Sequence, residues 1–178
     1  MRFALIDAQE YWAEEHARLA AGIDDRITES AKLPTRISNS WFIRALGITP
    51  AKWLSFRTTG LCTPEFWWDL RKLLGLRISP HLDAKSWVSD EIGQIRRALV
   101  ARNGTIGNIR DNYSIPMSNL RRMYDTGGST AVEFIEFLVM GGDELPAYIA
   151  HDVVRSAKAP PDAICEPSLR RVSVPRGL

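Results

Sequence analysis

The fold is decided by two stretches, SNSWFIRALGITPAKW at residues 38–53 and TIGNIRDNYSIPMSNL at residues 105–120. They lie 67 residues apart and share the order of their apolar, small and cap-forming positions. Each stretch predicts a short helix, a turn and a second helix, because its apolar side chains can face one small core from both helices and the turn. The chain therefore predicts an all-α fold with two degenerate helix-turn-helix repeats and flanking helices.

The spacing also assigns the inward positions and the turn. The predicted inward residues are Phe42, Ile48, Trp53 and Phe56 in the first stretch, and Ile109, Ile115, Leu120 and Met123 or Tyr124 in the second. Gly47 supplies the first turn, and Ser114 stands in its place in the second. Arg110 occupies a position that is commonly small because the two helices approach there. Either the helices cross more widely, or the register differs by one turn.

The helix signals around the two stretches recur at the same offset. Two glycine stops and one threonine cap recur as the pairs Gly60 and Gly127, Gly75 and Gly142, and Thr63 and Thr130. Threonine is a good N-cap, and glycine commonly ends a helix. Chance matches between apolar residues would not carry these signals along, so the pattern favours a structural repeat.

The same signals divide the chain into five segments. These are N-terminal helices in 1–33, with helices at about 6–21 and 24–32; a first repeat in 34–78; a linker in 79–90; a second repeat with its packing helices in 91–157; and an extended tail in 158–178. Within the second repeat, helices are predicted at about 91–102 and 143–157. The tail is rich in proline and poor in apolar residues, which is typical of an extended segment.

Composition excludes several classes of protein. The chain has 178 residues, 45% of them apolar and 25% charged, which suits one compact domain or two small ones. No apolar run approaches the roughly 18 residues that span a membrane, and no signal-peptide core is present, so we expect a cytoplasmic protein. Cys62 and Cys165 form no CxxC pair, and the three histidines are scattered, so no metal site and no cofactor are expected.

The sequence gives no indication of an enzyme. It contains no GxGxxG, Walker A, HExxH or GxSxG motif. Cys62 lies in an aromatic stretch with no histidine near it in sequence, and we expect it to be a core thiol rather than a nucleophile. No catalytic residue is predicted.

The positive charge is concentrated on the two stretches and their surroundings. Residues 31–60 contain five bases and no acid, and residues 91–125 contain six bases and three acids. Residues 126–150 contain four acids and no base. A surface that faces phosphates would produce this distribution, although chance clustering on solvated helix faces would produce it as well.

Once the inward positions are assigned, the outward side chains of each second helix follow. We predict DNA contacts from the second repeat through Thr105, Arg110, Met117, Ser118, Asn119, Arg121 and Arg122, and from the first through Lys52, Ser55 and Arg57. Asparagine suits adenine and arginine suits guanine in the major groove, and the start of a recognition helix usually reaches the base edges. The face of the first repeat is blander and better suited to phosphates or to a partner.

The stretch PMSNLRRMY at residues 116–124 resembles the recognition helices of bacterial transcription regulators. More narrowly, residues 115–127 are similar to the helix-turn-helix of the flagellar activator FlhC, and residues 48–62 resemble a segment of its partner FlhD. The resemblance covers about thirty residues and implies a regulator that acts with a partner. FlhC-type proteins carry a cysteine zinc site, which two separate cysteines cannot build.

Two functions follow from these patterns. The first is a transcription regulator that reads double-stranded DNA in the major groove with a helix near 116–125, while its N-terminal and acidic helices bind a protein partner or a second copy. The alternative is a helical interaction or assembly subunit that does not bind DNA. Basic side chains on one exposed face favour DNA, whereas basic side chains engaged in salt bridges favour the subunit.

Overall fold

The computed structural model describes residues 8–76 and 83–142. These residues form eight helices and no strand, as the all-α prediction requires. The helices are α1 (Ala8–Ser30), α2 (Asn39–Ala45), α3 (Pro50–Thr59), α4 (Pro64–Leu73), α5 (Ala84–Asn103), α6 (Ile106–Tyr113), α7 (Met117–Thr126) and α8 (Ala131–Gly142). The predicted helix at 143–157, the tail at 158–178 and the first residues of the chain lie outside the described residues.

Helix α1 is continuous, whereas the sequence predicted two helices with a break near residue 22. Its buried stripe of Trp12, Leu19 and Ile23 runs through the predicted break at helical spacing, so continued packing favours continued helix. Two side chains fix α1 to the end of α3. The Trp12 indole donates to the carbonyl of Gly60 (3.1 Å), and His16 Nε2 donates to the carbonyl of Phe56 (2.8 Å).

Helices α2 to α4 begin as their sequence signals predict. Thr49 and Thr63 are the N-caps of α3 and α4, and a proline follows each of them. Gly60 ends α3 with φ of 72°, in the left-handed region where glycine has no Cβ penalty. The buried rings of Phe42 and Trp53 stack 5.4 Å apart, which joins α2 to α3.

Helix α5 begins seven residues before its predicted start. Asp83 is the N-cap and accepts from the amide of Ser86 at 2.8 Å, so the predicted start at about residue 91 is wrong. Trp87 and Val88 are buried in its first turns, and this burial supports helix in a stretch that the sequence suggested was a linker. The last part of that predicted linker, from residue 84 onward, is therefore helix.

Helices α6 to α8 follow α2 to α4 in order, and each begins 67 residues after its counterpart. Both ends of α7 lie 67 residues after the ends of α3. The same offset relates individual hydrogen bonds: Ile48 N–H donates to Ile43 O (3.1 Å), and Ile115 N–H donates to Arg110 O (3.3 Å). Thr63 and Thr130 likewise cap the amides of Phe66 (3.3 Å) and Glu133 (3.2 Å).

The two sets of helices share one core, in which α5 packs against α4, α6, α7 and α8. Trp87 of α5 lies between Trp67 of α4 and Phe134 of α8, with ring centroids 5.8 and 5.1 Å apart. The backbone adds a link, since the amide of Ala131 donates to the carbonyl of Cys62 at 2.9 Å. Among the described helices, none has the length and apolar character needed to cross a membrane.

Candidate nucleic-acid interface

The α6–α7 pair is held by a tight left-handed turn. The turn consists of three residues, and Ser114 adopts φ of 55° and ψ of 37°. Its amide donates to the carbonyl of Arg110, which also accepts from Ile115. Ile109, Leu120 and Met123 are buried beneath the turn, and Ile115 is partly buried against them. The prediction of these inward positions is confirmed.

Arg110 fits this pair without separating its helices. Its neighbour Ile109 points inward, while the Arg110 side chain is exposed and pairs with Asp111 at 2.5 Å. The large side chain therefore requires neither a wider helix crossing nor a shifted register.

Helix α7 presents one polar face to solvent. Ser118, Arg121, Arg122 and Asp125 are exposed, and their spacing of three and four residues places them on the side away from Leu120 and Met123. Met117 and Asn119 lie at the edge of this face and are half-buried. The face carries two positive charges and one negative charge.

Arg122 is attached to the start of α8. Its guanidinium contacts the carboxylate of Glu133, and it lies 3.5 Å from Oδ1 of Asn119. The Glu133 carboxylate also accepts from the amide of Ser129 at 2.6 Å. Partial burial would raise the pKa of Glu133, but the hydrogen bonds from Ser129 and Arg122 outweigh it and hold the pKa below its ordinary value.

Arg121 has no ion-pair partner among the described residues, and its side chain is free to meet a ligand. Thr105 is exposed but already serves as the N-cap of α6, where it accepts from the amide of Asn108 at 3.2 Å. The DNA contacts predicted for this pair thus lie on α6 and α7 or at their ends. Thr105, Arg110 and Arg122 already have partners within the protein, whereas Arg121 has no ion-pair partner among the described residues.

The α2–α3 pair presents a different surface. The positions equivalent to the polar face of α7 are Ala51, Leu54, Ser55 and Thr58, and none of them is charged. Lys52 is exposed, whereas Ser55 is half-buried. Arg57 does not face outward as predicted: it pairs with Asp24 of α1 at 2.7 Å and donates to the carbonyl of Ala20 at 3.3 Å.

Two exposed cations of this pair were not among the predicted contacts. Arg36 lies just before α2, and Arg44 lies in its last turn. Both belong to the basic stretch of residues 31–60, but the sequence pattern predicted no DNA contact from the first helix of this pair.

Metal-ligating side chains and the Cys62 thiol were the remaining candidates for chemistry among the described residues. No group of three or more metal-ligating side chains occurs within 8–76 and 83–142. Burial, with a smaller effect from Glu15, raises the pKa of the Cys62 thiol, which disfavours the nucleophilic thiolate.

Comparison of the chain with protein-family models, curated proteins and solved structures finds no significant match to any of them. The likeness to the flagellar activators therefore stays a prediction from about thirty residues.

Proposed function

We propose that the protein binds double-stranded DNA as a transcription regulator and that α7 is its recognition helix. The observation that carries the proposal is the exposed face of α7 with Ser118 and Arg121, on a helix that follows a short left-handed turn. The second helix of a helix-turn-helix commonly enters the major groove. The matching bounds of α3 and α7 support two related helix-turn-helix units in one chain.

The role of each side chain on this face follows from its position in α7 and from whether it is already in an ion pair. Ser118 and Asn119 lie in the first turn of α7, the part of a recognition helix that usually reaches the bases. No carboxylate among the described residues pairs with Arg121, which is assigned to a phosphate. Arg122 and Arg110 would first have to leave Glu133 and Asp111. Exposed ion pairs of this kind contribute only about 0–1 kcal/mol, so a phosphate can replace the carboxylate.

A second candidate is a helical interaction subunit, which two observations favour. Three of the five basic side chains predicted to contact DNA are in ion pairs, namely Arg57, Arg110 and Arg122. The face of α3 equivalent to that of α7 also exposes an apolar side chain, since Leu54 is 63% exposed. A protein partner is suited to such a surface.

Binding to a pool of random duplexes at several salt concentrations separates the two candidates. We expect binding that weakens steeply with salt, because phosphate contacts release counterions. Arg121→Ala should weaken binding to every sequence, and Asn119→Ala should reduce preference among sequences selected from the pool. Lys85→Ala is the charge-matched control, since Lys85 is exposed in the first turn of α5, and it should leave binding unchanged.

Absence of duplex binding at low salt would overturn the DNA proposal. The same conclusion would follow if Arg121→Ala and Lys85→Ala weakened binding equally, because the affinity would then reflect net charge and not the face of α7.

A further inference from the structure

The α2–α3 pair lies in the longest part of the chain without a carboxylate. No acidic residue occurs from residue 30 to residue 64, a span that contains Lys32, Arg36, Arg44, Lys52 and Arg57. Arg57 is paired with Asp24, and Lys32 lies three residues after Glu29, the last acidic residue of α1. Arg36, Arg44 and Lys52 are exposed, and no described carboxylate pairs with them.

The cations around α6 and α7 are used differently. Arg96 donates to the carbonyls of Tyr124 and Asp125, and Arg102 donates to those of Met140 and Gly141. These two arginines therefore help to hold α5 against α7 and α8, and they are not free for a ligand.

The two helix pairs also differ in charge at one equivalent position in their first helices. The position equivalent to Arg44 is occupied by Asp111, which neutralises Arg110 at 2.5 Å. The first helix of the α2–α3 pair thus carries the positive charge of Arg44, with which no described carboxylate pairs, whereas the first helix of the α6–α7 pair carries the Arg110–Asp111 ion pair.

Hydrogen bonds and packing fix the backbone near Arg36, Arg44 and Lys52. The hydroxyl of Ser30 accepts from the amide of Ile37 at 2.8 Å, which secures the chain just after Arg36. The Trp53 indole, next to Lys52, donates to Oδ1 of Asn39 at 3.1 Å, so the first turns of α2 and α3 lie side by side. Arg44 lies two residues after the buried Phe42 and therefore on the opposite, outward side of α2.

We infer that the α2–α3 pair is the phosphate anchor of the protein and that Arg36, Arg44 and Lys52 grip the duplex backbone while α7 reads the bases. This inference rests on the proposed function and adds a division of labour to it. Phosphate contacts fix position without reading sequence, and they require free cations more than base-specific groups. The uncharged face of α3 and its free flanking cations match that requirement.

The salt dependence of duplex binding tests the assignment. For Arg44→Gln/Lys52→Gln we expect the negative slope of log affinity against log salt to become shallower by about 1.8, at roughly 0.9 per phosphate contact. The loss should be equal on a preferred and on a scrambled duplex. The matched control is Lys85→Gln/Arg97→Gln, which removes two exposed cations from α5 and should leave the slope unchanged.

An unchanged slope in Arg44→Gln/Lys52→Gln, or an equal change in the α5 control, would overturn the phosphate anchor while leaving the role of α7 intact. Failure of the unsubstituted protein to bind any duplex at low salt would overturn both proposals. We expect each variant to retain the fold, since all four positions are exposed. Thermal unfolding of each variant checks this.

Discussion

Glu15 of α1 and Arg71 of α4 form an ion pair with an N–O distance of 2.5 Å, and both side chains are almost fully buried. The same carboxylate accepts from the Trp67 indole at 3.0 Å and from Arg18 at 3.0 Å. Its oxygens are thus satisfied by three donors from two helices, which joins α1 to α4 inside the core.

Removal of one partner from this pair should be costly. Arg71→Met leaves a buried carboxylate without its main counter-charge, and we expect the free energy of unfolding to fall by about 3–5 kcal/mol. Arg18→Met removes a more exposed partner of the same carboxylate and should cost no more than about 1 kcal/mol. Urea unfolding measures both. The double variant Glu15→Gln/Arg71→Met should recover part of the loss, and equal losses in Arg71→Met and Arg18→Met would contradict a buried ion pair.

Two adjacent glycines near the end of α8 should respond in opposite ways. A Cβ on Gly141 would lie 2.7 Å from Cγ1 of Ile95, so Gly141→Ala should force α5 and α8 apart and cost about 1–3 kcal/mol. A Cβ on Gly142 would meet no atom of the described residues within 4 Å. Gly142→Ala should therefore be neutral or stabilise by up to about 1 kcal/mol, because alanine favours helix. Thermal unfolding compares the two, and similar effects would refute close packing of α5 on α8.

The left-handed turns give a separate prediction. Gly47 has φ of 62°, and a Cβ there would meet no atom within 4 Å in the described part of the chain, so the cost of Gly47→Ala is a backbone cost of about 1–2 kcal/mol. Ser114 holds the equivalent conformation with a side chain, and Ser114→Gly should raise the free energy of unfolding by up to about 1 kcal/mol. Chemical denaturation measures both changes. A loss of stability in Ser114→Gly would show that the serine side chain contributes more than its backbone strain costs.

The sequence was sufficient wherever structure is decided locally. Thr63 and Thr130 cap the helices they were predicted to cap, and Gly47 and Ser114 form the predicted turns. Such features depend on neighbours within a few residues, and the sequence displays those neighbours.

Features that depend on distant residues were missed. The early start of α5 depends on burial of Trp87 between Trp67 and Phe134, and the inward turn of Arg57 depends on Asp24 of α1. The attachment of Arg122 to Glu133 likewise joins residues of two helices. Charge counts along the chain locate the basic regions but do not show which cations remain free.

Two carboxylates should give opposite dependences of stability on pH. Burial raises the pKa of Asp69 above 3.8, with smaller effects from Lys72, Asp83 and Glu65, whereas the pKa of Glu133 lies below its ordinary 4.5. Ionised Asp69 therefore opposes folding, and its stabilising effect as a neutral acid is lost as the pH rises through its raised pKa. Ionised Glu133 favours folding, and its contribution is present above 4.5 and lost as the pH falls through its lowered pKa.

Substitution should reveal the two signs. Relative to the unsubstituted protein, Asp69→Asn should gain stability as the pH rises from acid to neutral, and Glu133→Gln should lose stability over the same range. Urea unfolding across that range measures both differences. The physical account would be wrong if the two differences changed with pH in the same direction.

Glu133 should also restrain the DNA contacts of Arg122. Glu133→Gln removes the counter-charge that the guanidinium contacts, while the amide oxygen of glutamine can still accept from Ser129. A freed Arg122 can add a phosphate contact, and we expect the salt slope of duplex binding to steepen by about 0.9.

Asp125→Asn is the charge-matched control, because Asp125 lies on the same face of α7 and its carboxylate does not pair with Arg122. If both variants steepened the slope equally, net charge alone would explain the gain. If Arg122→Ala/Glu133→Gln abolished the gain while Asp125→Asn left the slope unchanged, the effect would belong to the Arg122 side chain, and the pair would act as a restraint on the proposed recognition helix.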